Sequence, residues 1–222
     1  MSDSNAETES EPAVRLELYA DYVCPFCYLG RRSLERYRDT SERLLVIDWQ
    51  PFDLRRGKRN PDGSIDNDAD DGKDDAYFEQ ARRNVRRLQD RYDVEMAQEL
   101  ATGVDSLVTQ RASWYVKREF PERWAAFDES IYEALWQDGR DIGDVSVVTE
   151  LAEGAGLPDA EIRSAIESQP LQEDLEARFA DARRRGITGV PTFVVDGTAA
   201  RGAVSPDRLE RLIEDRASTA GW

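Results

Sequence analysis

Cys24-Pro25-Phe26-Cys27 contains the only two cysteines of the chain. They follow a short, mostly apolar run, Val14 to Val23, and open a stretch with helical spacing. Two cysteines separated by two residues lie one helical turn apart, so their sulfurs can meet and cycle between dithiol and disulfide. The attacking species in such exchange is the thiolate, and the unpaired N–H groups of a helix's first turn favour it. Cys24 sits at that position; Pro25, lacking an N–H, is tolerated beside it. Cys24 is therefore the expected nucleophile, forming a mixed disulfide with a substrate, and Cys27 the expected resolving thiol. Zinc would need two further ligands, usually Cys or His, and the chain has no third cysteine and no histidine. An iron–sulfur cluster would need four cysteines, reachable only across a dimer. No metal is expected. The absence of histidine also removes His-based triads and Cys–His nucleophile pairs.

The elements that must hold this motif follow from periodicity. Val14 to Ala20 alternates and reads as a strand, Cys24 to Arg38 as a helix, and Leu44 to Phe52 as a second strand. That order makes a βαβ unit with a parallel pair and a right-handed crossover. Residues 55–75, rich in Asp, Gly, Asn and Pro, read as a mobile acidic linker. From 76 to 185 the period is helical throughout, clearest at Trp124, Phe127, Ile131 and Leu135. The β pattern returns at Pro191 to Val195, Asp196-Gly197 signals a hairpin, and Ser205-Pro206-Asp207 starts a last helix. Without the helical block the order is βαβ–ββα. The expected fold class is α/β: a thioredoxin-like fold with an all-α helical domain inserted in its middle. The expected domains are a disordered acidic tail at 1–13, a discontinuous thioredoxin-like domain at 14–54 and 186–217, the linker at 55–75, and the insertion at 76–185.

Composition bounds the rest. A chain of 222 residues suggests one or two domains with a real core. It is 34% charged and carries no apolar run long enough to span a membrane. A net charge of −16 argues against nucleic acid as a partner, which would require a basic footprint. Lysine occurs only at Lys58, Lys73 and Lys117. Heavy acidity with scarce lysine resembles the proteins of salt-adapted, halophilic organisms, and a chain this self-repelling is expected to gain stability from salt screening. Met1 to Pro12 has neither a basic n-region nor an apolar h-region, so it does not read as a signal peptide, and a cytoplasmic location is expected. In a reducing compartment a two-cysteine motif is catalytic or metal-binding rather than structural.

Gly189-Val190-Pro191-Thr192 precedes the third strand. In the thioredoxin fold a cis-proline at this place faces the dithiol. The carbonyl and N–H of Val190 would then be free to pair with an extended substrate. Tyr22 to Gly30, Gly139 to Asp144 and Gly186 to Phe193 together resemble the DsbA family, most closely its intracellular FrnE-type branch, over about Val14 to Ile213. The resemblance implies dithiol–disulfide oxidoreductase or isomerase activity on polypeptides, with Cys24, Cys27 and Pro191 at the family's functional positions. Phe26 stands where strong oxidants of the family carry histidine. It cannot donate a hydrogen bond to a Cys24 thiolate, so a less oxidising couple is expected. Many thioredoxins carry a buried acid six residues before the first cysteine; that position is Leu18, so no proton acceptor for Cys27 is evident. Pro25, Phe26, Tyr28, Val190 and Pro191 are the expected substrate contacts. Gly139 to Asp144 reads as a charged turn with Asp144 capping the next helix. Trp114, Trp124, Phe127 and Trp136 read as insertion core. No cofactor is expected beyond the Cys24–Cys27 disulfide, with glutathione or a thioredoxin-type protein as candidate reductant. The expected partners are polypeptide thiols and disulfides, with no membrane; a homodimer is compatible. The alternatives are a glutathione-using isomerase or transferase of the 2-hydroxychromene-2-carboxylate isomerase or kappa type, or a non-catalytic chaperone or adaptor. The former generally place Ser where Cys24 stands.

Overall fold

The computed structural model describes residues 13–60, 62–66, 69 and 72–217. All but one residue of the expected tail thus lies outside the described residues. Strand β1 (Val14–Ala20) leads into helix α1 (Pro25–Thr40) and strand β2 (Leu45–Pro51). Helices α2 (Asp75–Tyr92), α3 (Leu107–Glu119), α4 (Pro121–Trp136), α5 (Val145–Gly154), α6 (Asp159–Glu167) and α7 (Gln169–Arg184) follow. The chain returns as β3 (Thr192–Val195), β4 (Thr198–Arg201) and α8 (Pro206–Ala217). The sheet order is β2-β1-β3-β4, with β1 parallel to β2 and antiparallel to β3. The βαβ–ββα order expected from the sequence is the order observed.

Alternation along β1 sorts its side chains to two faces. Leu16, Leu18 and Ala20 join the main core with Leu29 and Leu34 of α1 and Leu209 and Ile213 of α8. Tyr19 faces the other way and packs with Ala182, Ile187 and Val194. Both faces are therefore covered at the end of the sheet where β1 runs into the cysteine motif.

Helix α1 is locked to the helical block by a buried polar network. The Tyr22 hydroxyl donates to Asp128 (2.7 Å) and shares a bond with Ser113 (2.6 Å). Arg31 pairs with Asp128 and, at 2.6 Å, with Glu129; Arg32 also reaches Glu129. Burial pushes the Asp128 carboxyl up while Arg31 pulls it back. Trp136 closes the joint by donating from Nε1 to the Tyr22 carbonyl at 2.9 Å. Paired and bonded in this way, the charges orient α1 rather than merely stabilise it.

The helical period does not run unbroken through the block. Residues 93–106 form an irregular segment, although Glu95 to Ala101 is good helix-forming sequence. Helix α2 ends at Asp93, whose φ is +49°. Beyond it, the Ala97 N–H bonds the Trp136 carbonyl (2.7 Å) and the Gln98 amide the Leu135 carbonyl (3.1 Å). These are end carbonyls of α4 that have no partner within the helix. Satisfying them outweighs the local helical preference. The described part of 55–75 also carries structure of its own: a 3-10 turn at Arg56–Lys58, and Arg59 forked between Asp53 and Asp105.

Candidate active site

Cys24 is the N-cap of α1, with extended backbone (φ −93°, ψ 112°), and its carbonyl accepts from the N–H groups of Cys27 (3.0 Å) and Tyr28 (3.3 Å). This first turn brings Cys24 and Cys27 within 3.4 Å of each other, both as free thiols. The two are not equivalent. Cys24 lines a cavity of about 740 Å³, whereas Cys27 faces inward and lines neither of the cavities beside the motif. Burial pushes the Cys27 thiol well up, and the neighbouring Cys24 sulfur adds to this. Both cysteines are buried, but only Cys24 borders open space, an asymmetry suited to ordered exchange.

The Val190–Pro191 peptide is cis. Cys24 Sγ lies 3.6 Å from the Val190 carbonyl oxygen, to which it donates. The Pro191 carbonyl accepts from the Gly202 N–H (2.8 Å), while the Val190 N–H has no partner among the described residues. Gly30 underlies this loop: a Cβ there would stand 3.2 Å from Pro191 Cγ and 3.3 Å from Phe193 Cζ. The absent side chain lets α1 approach the proline closely.

Of the expected contacts, Pro25, Phe26 and Val190 line the cavity at Cys24, and Phe26 and Val190 also line a second cavity of about 430 Å³. Pro191 is buried behind Val190. Tyr28 requires correction. It is fully buried, stacked on Tyr132 and Trp136, and its hydroxyl accepts from Gln137 at 2.7 Å. Position 28 points down the inner face of α1, so it anchors the helical block and cannot touch a substrate. The turn at Gly139 to Asp144 behaves as read: Asp144 Oδ1 accepts from the Ser146 N–H at 2.7 Å.

Two groups flank Cys27 that the sequence reading did not assign. Asp21, in the turn between β1 and α1, is completely buried. Its carboxylate accepts from Ser106 Oγ, from the Leu54 N–H (2.8 Å) and from the Val23 N–H (3.3 Å). Burial nevertheless pushes it up to about 6, against the pull of those donors. Its charge adds to the rise of the Cys27 thiol, while a backbone hydrogen bond from Asp21 opposes that rise. The acid missing at Leu18 is thus supplied three residues before Cys24. The second group is the Tyr132 hydroxyl of α4, buried without a hydrogen-bond partner among the described residues and raised in part by Cys27. A signal for Asp21 was present, since one carboxylate interrupts the otherwise apolar Tyr19-Ala20-Asp21-Tyr22-Val23. Tyr132 had none, because only the packing of α4 on α1 brings it near.

A four-stranded sheet, a two-cysteine helix N-terminus and a cis-proline facing it define a thioredoxin-fold protein. The DSBA-like thioredoxin domain family matches residues 15–214, and the chain belongs to that family. It is similar to the uncharacterized protein YwbO of Bacillus subtilis (strain 168), 27% identical over 203 residues, covering 91% of this chain and 96% of that protein. Among solved structures it is similar to a probable DsbA oxidoreductase from Streptomyces coelicolor (TM-score 0.74, 21% identity, 93% of this chain and 90% of that one). It is also similar to a 2-hydroxychromene-2-carboxylate isomerase (TM-score 0.71, 20% identity, 93% and 96%). A third is the cytosolic disulfide reductase DsbM of Pseudomonas aeruginosa with GSH (TM-score 0.59, 20% identity, 93% and 97%). At these identities the structural likeness speaks for the fold.

Proposed function

We propose that the protein is a thiol–disulfide oxidoreductase or isomerase that acts on polypeptides through Cys24 and Cys27. The observation that carries this reading is the pair of free thiols 3.4 Å apart at the N-terminus of α1, one of them lining a cavity. In the reducing direction the Cys24 thiolate attacks one sulfur of a substrate disulfide. The substrate S–S bond breaks, one substrate thiolate leaves and takes up a proton, and a Cys24–substrate mixed disulfide forms. Cys27 then gives its proton to Asp21 and attacks the Cys24 sulfur. The second substrate thiolate leaves, the protein holds the Cys24–Cys27 disulfide, and two electrons have passed to the substrate. Run backwards, the same steps oxidise a substrate dithiol. A glutathione- or thioredoxin-type thiol closes the cycle. The Val190 N–H supports the polypeptide assignment, since an extended chain laid across it would pair with that group. A cytoplasmic setting belongs to the same reading, because both cysteines belong to the exchange motif and neither to a structural bridge.

The test is a trap. With Cys27→Ser, a peptide disulfide should accumulate as a stable adduct on Cys24, seen by intact mass and located by peptide mapping. Absence of any adduct on Cys24 would contradict the reading.

A further inference from the structure

Cations gather beside the dithiol of a strongly acidic chain. The protein carries −16 overall. Yet among the described residues lining the two cavities that meet at Phe26 and Val190, none is acidic. Arg55, Lys58 and Lys73 line the larger cavity, and Arg87 and Arg91 the smaller. Arg55, Arg87 and Arg91 have no carboxylate within salt-bridge distance among the described residues. The Arg55 guanidinium donates to the Ala101 carbonyl, and Arg87 donates to the Asn84 amide oxygen at 3.3 Å. Burial lowers Arg55 against the pull of Asp21, Asp105 and Asp53, and its Nε is buried without a partner among the described residues.

Building on the exchange function above, we propose that the preferred substrates are acidic polypeptide segments, with Asp or Glu on both sides of the reacting cysteine. Two observations favour an extended chain over a small anionic thiol. The two cavities share Phe26 and Val190, with Arg55 in one and Arg87 and Arg91 in the other, so a ligand must span both to meet all three. The unpartnered Val190 N–H lies at that shared edge, where a crossing backbone would pair. The remaining apolar lining, chiefly Phe26, Tyr77, Phe78 and Leu100, suits a peptide that brings apolar groups with its carboxylates. The net negative field of the protein repels such a chain at long range. At about 0.15 M salt that field is screened within about 8 Å, so the local cations decide what docks.

Three peptides test this, each with one cysteine in mixed disulfide with a small aromatic thiol and flanked by two Glu, two Ser or two Lys on each side. The second-order rate constant for oxidation of the reduced protein is measured by stopped flow. Each value is divided by the rate of dithiothreitol with the same peptide, which removes the intrinsic reactivity of each disulfide. The Glu peptide should exceed the Lys peptide by about tenfold, equivalent to about 1.4 kcal/mol, a modest demand on several exposed charge contacts. Replacing Arg55, Arg87 and Arg91 together with Gln should bring that ratio below about threefold. Because Arg55 is half-buried, Arg87→Gln alone, on an exposed position of α2, serves as a second variant and should lower the ratio in the same direction. Equal normalised rates, a preference for Lys, or a preference unmoved by both variants would overturn the inference. Failure of all three peptides to react would instead remove the exchange function on which it rests.

Discussion

Replacing Cys24 with serine is expected to slow oxidation of the reduced protein by a peptide disulfide on the order of a thousandfold, the scale of losing a nucleophile. Cys27→Ser should leave that first attack within a fewfold of the native rate. The difference comes from where the first turn of α1 aims each sulfur. Cys24 lines the cavity and reaches the Val190 carbonyl at 3.6 Å; Cys27 faces Asp21 and Tyr132. Serine at 24 keeps the cap geometry but offers a hydroxyl in place of a thiol. Stopped-flow tryptophan fluorescence can follow the step, since Trp136 bonds the Tyr22 carbonyl just before the motif. If Cys27→Ser slowed the first attack as much as Cys24→Ser, the assignment of roles would be wrong.

The second large effect concerns Asp21. Its folded-state value of about 6 lies above the ordinary 3.8, so the native protein holds this proton while the unfolded chain has lost it. Stability from this group is present below about pH 4 and falls as pH rises towards 6, by about 3 kcal/mol in total. Above that the contribution is flat. Three hydrogen bonds do not offset the burial, and a buried carboxylate with a raised pKa suits the proton-acceptor role proposed for it above. Asp21→Asn is expected to slow release of substrate from the Cys24 mixed disulfide about a hundredfold at pH 7. It should also abolish the limb of that step near pH 6. In urea unfolding between pH 4 and 7, the native protein minus the variant should show the falling slope; comparing slopes avoids the separate loss of a bond from Val23 or Leu54. A variant that kept both the limb and the slope would exclude Asp21 from proton transfer.

The order of elements was readable because each announced itself locally. Alternation in Val14 to Ala20, three-four spacing from Trp124 to Leu135, and Asp196-Gly197 were enough. The last pair adopts φ of +47° and +78°, as a tight hairpin turn demands. The dithiol and Pro191 were likewise visible in residue type and spacing. What stayed hidden depends on tertiary partners. Nothing near Glu95 to Ala101 says that the free carbonyls of α4 will claim Ala97 and Gln98. Tyr28 stands next to Cys27 in sequence but points away from the cavity, into Tyr132 and Trp136. Asp21 lies outside the strand position where an acid was sought, and only its complete burial gives it a role. The arginines at 55, 87 and 91 that line the two cavities are scattered in sequence and gathered by folding.

The central claim is that Cys24 and Cys27 form one reversible two-electron couple. It is tested by equilibrating the protein in glutathione buffers of graded redox poise, quenching with acid, alkylating and measuring intact mass. The expected result is a single transition between dithiol and intramolecular disulfide. Its midpoint should be clearly more negative than the roughly −120 mV of a strong oxidant, because Phe26 offers no donor to the thiolate. Two cysteines that titrate independently, or that never join at any poise, would contradict the account.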